Sequence, residues 1–236
     1  MQHLTDTDEA ASAAEPLPRL GTTLNQEAYR RLEEMIVTLD LAPGSLVSES
    51  ILSRQLGIGT TPIREALQRL AREYLVEIIP RRGVVVTTID VRRQFEVLET
   101  RRELDRLLSA AAAKRANVSE RMSFTDNLAL TKKAVSDNDV REFLRLDAEL
   151  NLLLSKAARN GTAAALASML HTVSRRFWFY HHDEHTALAE IGPIHCRLVE
   201  SIASGDPVLA GAASNQLIDY LVEFAQATLP HQHSLG

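Results

Sequence analysis

The sequence predicts a mainly α protein in two parts, a small N-terminal unit carrying one β-hairpin and a larger C-terminal antiparallel all-helical bundle. Three observations support this. Only 5% of the 236 residues are aromatic, while alanine and leucine are abundant, a bias toward helix over sheet. Apolar positions recur at helical spacing along most of the chain from Leu24 onward. Two adjacent runs, residues 75–79 and 83–87, are instead β-prone and flank a Pro-Arg-Arg-Gly turn.

Composition narrows the function classes. An apolar share of 45% and a charged share of 24% exclude wholesale disorder, and the length fits two domains of roughly 70 and 150 residues. Cys196 stands alone, so there is no internal disulfide and no paired Cys/His framework for structural zinc. No run approaches the roughly 18 apolar residues of a membrane helix. The opening MQHLTDTDEAASAAEPLP is acidic and polar, the opposite of a signal peptide. The expectation is a cytoplasmic protein with no membrane partner. A net charge of −5 decides nothing about nucleic acid, because its distribution matters more. Residues 24–88 carry eight Arg against eight acids, with local basic points at Arg54, Arg64, Arg69, Arg72, Arg81 and Arg82.

Taken in order, residues 1–20 read as a flexible tail, with Pro16 and Pro18 breaking any helix. Ala28, Leu32, Met35, Ile36 and Leu39 then mark a first helix, which Pro43-Gly44 stops. A short helix follows Ser48 and ends at Gly57. Thr60-Thr61-Pro62 reads as a Thr cap with Pro at the first helical position, opening a helix through Leu70 to about Tyr74. Two short helices across a tight Gly-containing turn, followed by a hairpin, spell a winged helix-turn-helix over residues 21–89. From Asp90 the pattern is helical, in segments 90–116, 119–136, 138–159, 161–181, 185–204 and 206–229. Short connections make residues 90–230 a bundle, with 231–236 a second tail.

In the helix after Thr61, Ile63, Ala66, Leu67 and Leu70 face inward, leaving Thr60, Thr61, Arg64, Glu65 and Gln68 outward near its N-terminus. That suits a major groove, where helix N-termini favour phosphate and Arg can pair with guanine. Arg81, Arg82 and Gly83 at the wing tip could reach a neighbouring groove or the backbone. The bland alternative is a solvated Arg64–Glu65 pair on an ordinary surface helix. The ordered series of helix, turn, helix, helix and hairpin within 65 residues favours double-stranded DNA.

The stretch APGSLVSESILSRQLGIGTTPIREALQRLAREYLVEIIPRRGVVV resembles the N-terminal domain of the GntR family of bacterial transcription regulators. Pro43-Gly44, Ser48-Glu49, Thr61-Pro62, Arg64-Glu65-Ala66-Leu67, Leu70 and Arg82-Gly83 carry the match, and the rest is similar to the helical domain of the FadR-type branch. The resemblance implies DNA contacts from Arg54, Arg64 and the wing. Ser50 and Thr60 stand where the family has arginines, which implies a salt dependence flatter by about two units.

The resemblance further implies an effector in the bundle, often a carboxylate beside a divalent metal. Asp147 matches the family's metal-binding Asp, and His195 one of its histidines. Asn151 and Leu217 stand at the two other ligand positions. Asn is a weak ligand for transition metals and Leu none, so no bound metal cofactor is expected. Asp147, Asn151 and His195 are then effector-binding candidates, with Arg101 or Arg102 as a carboxylate partner. Read from its own residues, His195 is a core histidine and the arginines surface ion pairs with Glu103 or Asp105. His171 could face inward and replace a missing ligand. Phe177, Trp178, Phe179 and Tyr180 must bury some surface, in core or interface. His181, His182, Asp183 and His185 lack a metal-site arrangement and read as a solvated or pH-sensitive surface.

The function expected is a ligand-responsive repressor, not an enzyme, acting as a homodimer on a pseudopalindromic operator. The alternative is a metal-assisted hydrolase with an appended DNA-binding module, which would need a complete ligand set and a positioned base. A third reading is a regulator whose sensor has decayed, leaving a filled, dry bundle core.

Overall fold

The computed structural model describes residues 23–182 and 187–229. Both expected tails lie outside the described residues, as do Asp183 and His185. Helix α1 (Leu24–Val37) opens on a capping box between Thr23 and Gln26 and buries Ala28, Leu32 and Ile36. After Gly44, in the left-handed region at φ +77°, the chain forms β1 (Leu46–Val47), α2 (Glu49–Leu56) and α3 (Thr60–Arg72). Strands β2 (Val76–Ile79) and β3 (Gly83–Val86) complete the unit.

Two details differ from the sequence reading. Helix α3 begins earlier than expected: Gly59 is its cap, Thr60 and Thr61 are already helical, and Pro62 stands third. Pro is tolerated there because its missing N–H is one of those a helix start leaves unpaired anyway. The hairpin also gains a third strand, in the antiparallel order β1-β3-β2, with Leu46 opposite Val85 and Ile78 opposite Val84. One apolar core gathers Leu32, Ile36, Leu52, Ile63, Leu67, Leu70, Val76, Val84 and Val86 from the three helices and strands β2 and β3, with Val47 of β1 packed against it.

The remainder is helical: α4 (Val91–Arg115), α5 (Val118–Ser136), α6 (Val140–Ala157), α7 (Gly161–His181), α8 (Ala187–Ser204) and α9 (Pro207–Ala227). These bounds fall within two residues of the expected ones. Asp90, Asn117, Asp139, Asn160 and Asp206 each cap a helix through a side-chain oxygen. Helix α4 packs on α7 and α9, and α5 on α6 and α8. The α5–α8 approach is tight at Gly192, where an added Cβ would stand 2.6 Å from Val135 Cγ2. Phe124, Phe143, Leu146, Leu98 and Ile202 lie in the bundle core.

Helix α7 also touches α1 of the winged unit. Glu33 Oε1 accepts from Thr172 Oγ1 and Arg175 Nη2, each at 2.5 Å. Arg141 on α6 clamps Asp40 at 3.1 and 2.9 Å. The two units meet through these charged contacts and through Val37 and Val173, each of which packs against the other unit's core.

Candidate DNA-binding surface and bundle cavity

On the winged unit, α3 turns Ile63, Ala66, Leu67 and Leu70 into the core and leaves Thr60, Thr61, Arg64 and Gln68 exposed. No side chain caps its N-terminus, so the exposed first turn keeps capacity for an anion such as a backbone phosphate. Arg64 does not pair with its neighbour Glu65. Its Nε and Nη2 bind Glu49 Oε2 at 3.0 and 2.9 Å, tying α3 to α2. Glu65 instead accepts from Asn25 Nδ2 at 2.6 Å. Arg54 is exposed on α2, and Arg81 and Arg82 are exposed at the β2–β3 turn. That turn needs left-handed backbone at Arg81 (φ +64°) and a bare Gly83, where a Cβ would stand 3.0 Å from the Val47 carbonyl oxygen. These side chains are exposed on the winged unit, with Arg64 held by Glu49 and Arg54 donating from Nε to the Ser50 carbonyl oxygen at 3.4 Å.

The bundle holds a cavity with about 400 Å³ of empty space, part of it solvent at the mouth. Arg101 from α4, Asp147 from α6, His171 and Arg175 from α7, and His195 from α8 form its polar wall. Ser174 joins the polar side, and the apolar lining includes Phe143, Trp178, Ile191, Leu217 and Leu221. Of the expected effector residues, Arg101, Asp147 and His195 converge here. Asn151 reaches the cavity only indirectly, donating from Nδ2 to Asp147 Oδ2 at 3.2 Å. Arg102 points elsewhere, binding Asp219 on α9 at 2.7 Å. The adjacent arginines diverge because neighbouring helix positions face different directions.

Two linked charge systems line the wall. His195 Nε2 lies 2.9 Å from Asp147 Oδ1, and Arg175 Nε lies 3.5 Å from Asp147 Oδ2. Burial pushes the Asp147 carboxyl up, yet the His195 hydrogen bond and the His195 and Arg175 charges hold it well below the carboxylate range. Opposite, Asp105 binds Arg101 Nη2 at 2.8 Å and His171 Nε2 at 2.7 Å. Burial raises Asp105 as well, and the Arg101 and His171 charges together with their hydrogen bonds more than reverse it. His195 Nδ1 and Arg175 Nε are buried without a hydrogen-bond partner, so the wall offers polar atoms to a ligand.

The donor set does not fit the metal that the resemblance implies. The ring nitrogen of His195 facing Asp147 is taken by their mutual hydrogen bond, the Asn151 amide is turned to the same carboxylate, and Leu217 offers no donor. His171 is turned to Asp105 instead of completing a set with Asp147. Among the described residues no group of three or more His, Cys, Asp and Glu could hold a metal ion. Arg175, a fixed cation, stands beside the carboxylate instead.

The aromatic end of α7 divides as well. Phe177 and Trp178 are buried and Trp178 lines the cavity, whereas Tyr180 is exposed. His182 stacks on Trp178 at 5.3 Å between ring centroids. His181 is partly buried, and desolvation lowers its pKa.

Comparison with known proteins adds the remaining observation. The profile of bacterial regulatory proteins of the gntR family matches residues 24–86, and that of the FCD domain matches residues 96–220. The chain belongs to the GntR family. An HTH-type transcriptional regulator in an unstable DNA locus of Streptomyces ambofaciens is 29% identical over 198 residues, 82% of this chain and 81% of that protein. The HTH-type transcriptional repressor RspR of Escherichia coli is 29% identical over 135 residues, 57% of this chain and 59% of RspR. Among solved structures, E. coli McbR/YncC superposes with a TM-score of 0.74 at 17% identity, covering 87% of this chain and 98% of that one. A GntR regulator from Rhodococcus sp. RHA1 gives 0.67 at 17% identity, covering 89% and 100%. These two share the fold. This GntR protein is thus a transcriptional regulator with an FCD effector-binding domain, and no described helix is long and apolar enough to cross a membrane.

Sequence reasoning missed Arg175 and Glu33. Nothing local marks either: Arg175 is one of two adjacent arginines before the aromatic run, and Glu33 one of two adjacent glutamates on an amphipathic helix. Their meeting is set by how α7 lies against α1, which spacing along the chain does not encode.

Proposed function

We propose that this protein is a cytoplasmic, ligand-responsive repressor that binds a pseudopalindromic operator as a homodimer and leaves it when a small carboxylate enters the bundle cavity. Arg64, Gln68, Thr60 and Thr61 would enter the major groove, Arg54 would hold backbone, and Arg81, Arg82 and Gly83 would follow the adjacent groove. A two-fold dimer would set the half-site spacing. In the cavity, Arg101 and Arg175 would bind the carboxylate, with Asp147, Asn151 and His195 orienting the rest of the molecule.

The observation that carries this reading is the position of Arg175, which faces the cavity at Asp147 and holds Glu33 of the winged unit. A ligand carboxylate competing for that guanidinium would weaken the Glu33 contact. It would thereby favour arrangements of the winged units that no longer match the operator. RspR is named a repressor, which favours repression as the sign. A cavity with unpartnered polar atoms argues against a decayed sensor, and the hydrolase alternative would need a metal ligand set that these residues do not supply.

The test is selection of genomic fragments by the purified protein at stated salt, with Arg64→Ala in parallel. Recovery of one short palindrome by wild type, weakened tenfold or more in the variant, is the expected result. Equal recovery by both would refute the recognition helix as reader.

A further inference from the structure

A second cavity lies at the joint between the winged unit and the bundle. Tyr74 and Thr87 reach it from the winged unit, Asp90, Arg93 and Gln94 from the start of α4, and Arg176 from α7. Arg176 is only 4% exposed. Its Nη1 donates to Thr87 Oγ1 at 3.0 Å, its Nη2 to the Thr87 carbonyl oxygen, and its Nε to nothing. The other buried arginines on α4 and α7 each hold a carboxylate, Arg101 with Asp105 and Arg175 with Glu33. Among the described residues, no acid lies within ion-pair distance of Arg176.

Among the described residues, the second arginine of this cavity is also without an ion-paired acid. Arg93 is exposed and rests its guanidinium carbon 4.5 Å from the Tyr74 ring centroid. Asp90, the one acid on the wall, accepts from the Arg92 amide at 2.8 Å as the α4 cap. Gln94 is buried, donates to Ser174 Oγ at 2.9 Å, and leaves its Oε1 unpartnered. A guanidinium is costly to withdraw from water without a counter-charge, and the wall sets two guanidinium groups against the single Asp90 carboxylate, which is exposed and engaged with the α4 backbone.

We propose that this joint cavity is a binding site for a small free oxyanion, an inorganic phosphate or a short carboxylate, held between Arg176 and Arg93. Fork-shaped donors suit either anion. The unpartnered Gln94 oxygen suits the hydroxyl of a partly protonated phosphate, which favours phosphate of the two. Because Arg176 is buried beside Thr87, a phosphate of duplex DNA cannot reach it. The site is separate from the bundle cavity, and its occupant would tie α4 and α7 to the strand leaving the wing. Occupancy would therefore favour the docked arrangement of the two units.

The test uses the full chain, in thermal unfolding and titration calorimetry, with sodium phosphate or sodium acetate at ionic strength held constant by chloride. Saturating phosphate is expected to raise the unfolding midpoint by roughly 2–4 °C over chloride alone. Arg93→Gln, an exposed change that leaves the fold intact, should weaken phosphate binding at least tenfold, and Arg176→Gln should abolish it. Arg145→Gln, on an exposed face of α6, should respond as wild type does. A response to acetate in place of phosphate, lost in the same two variants, supports the site with a carboxylate as its ligand. No anion-specific shift in wild type, or one kept by both Arg93→Gln and Arg176→Gln, overturns the proposal.

Discussion

Arg175 reaches Glu33 across the joint between the two units, Nη2 to Oε1 at 2.5 Å, while its Nε stands 3.5 Å from Asp147 in the bundle cavity. One guanidinium thus touches both the helix that supports the reading unit and the carboxylate at the heart of the sensor. Both ends are largely removed from water, with side-chain exposures of 13% for Arg175, 14% for Glu33 and 17% for Asp147. Removing one partner would strand a buried charge. Glu33→Ala should therefore lower unfolding free energy by about 3 kcal/mol in urea titration. Arg145→Ala, which breaks only exposed pairs with Glu142 and Glu149, should cost under about 1 kcal/mol.

The buried carboxylates should shape acid stability. Asp147 is held below the ordinary carboxylate range in the folded chain, so its contribution is complete above the unfolded value of about 4 and is lost as pH falls below it. Asp147→Asn should be less stable at neutral pH, and its stability should fall less steeply between about pH 5 and 2. Parallel pH profiles for variant and wild type would show that the His195 and Arg175 contacts do not hold the carboxylate in its charged form.

At the DNA surface, Arg81→Ala with Arg82→Ala should reduce the slope of log affinity against log salt by about two units if both arginines neutralise phosphates. Thr60→Arg and Ser50→Arg should each steepen it by about one unit. Fluorescence anisotropy on a selected operator fragment over a salt series would measure both.

Close packing at Gly192 gives a prediction independent of ligand and DNA. A methyl group there would meet Val135 at 2.6 Å, and overpacking of this kind costs about 1–3 kcal/mol. Gly192→Ala should lower the melting midpoint, and adding Val135→Ala should recover part of the loss. A double variant worse than the single one would show that the two helices do not approach as described.

Much of the fold was legible because local signals agreed with it. The breaks between the expected helical segments fall at Asn117, Asn160 and Asp206, which are caps, and Gly57 ends α2 in the left-handed conformation. Strand β1 was not legible, since two residues, Leu46 and Val47, become a strand only by pairing with β3. The start of α3 was misplaced because Thr-Thr-Pro satisfies a capping pattern that Gly59 fulfils by backbone alone. Within the site, family resemblance pointed to Asp147 and His195, and burial then separated Arg101 from Arg102. Arg175 and Glu33 carried no sequence signal, because neither residue's type nor its spacing foretells a contact 142 positions apart.

The most direct measurement of the coupling is operator release. The fragment selected from genomic DNA would be titrated with a panel of short mono- and dicarboxylates, on wild type and on Glu33→Gln. The account predicts that at least one weakens operator binding by wild type tenfold or more. The same compound should bind Glu33→Gln, by calorimetry, while its effect on that variant's operator affinity is markedly smaller. Equal release from both proteins would contradict transmission through the Arg175–Glu33 contact, and no release by any carboxylate would contradict the cavity as a carboxylate sensor.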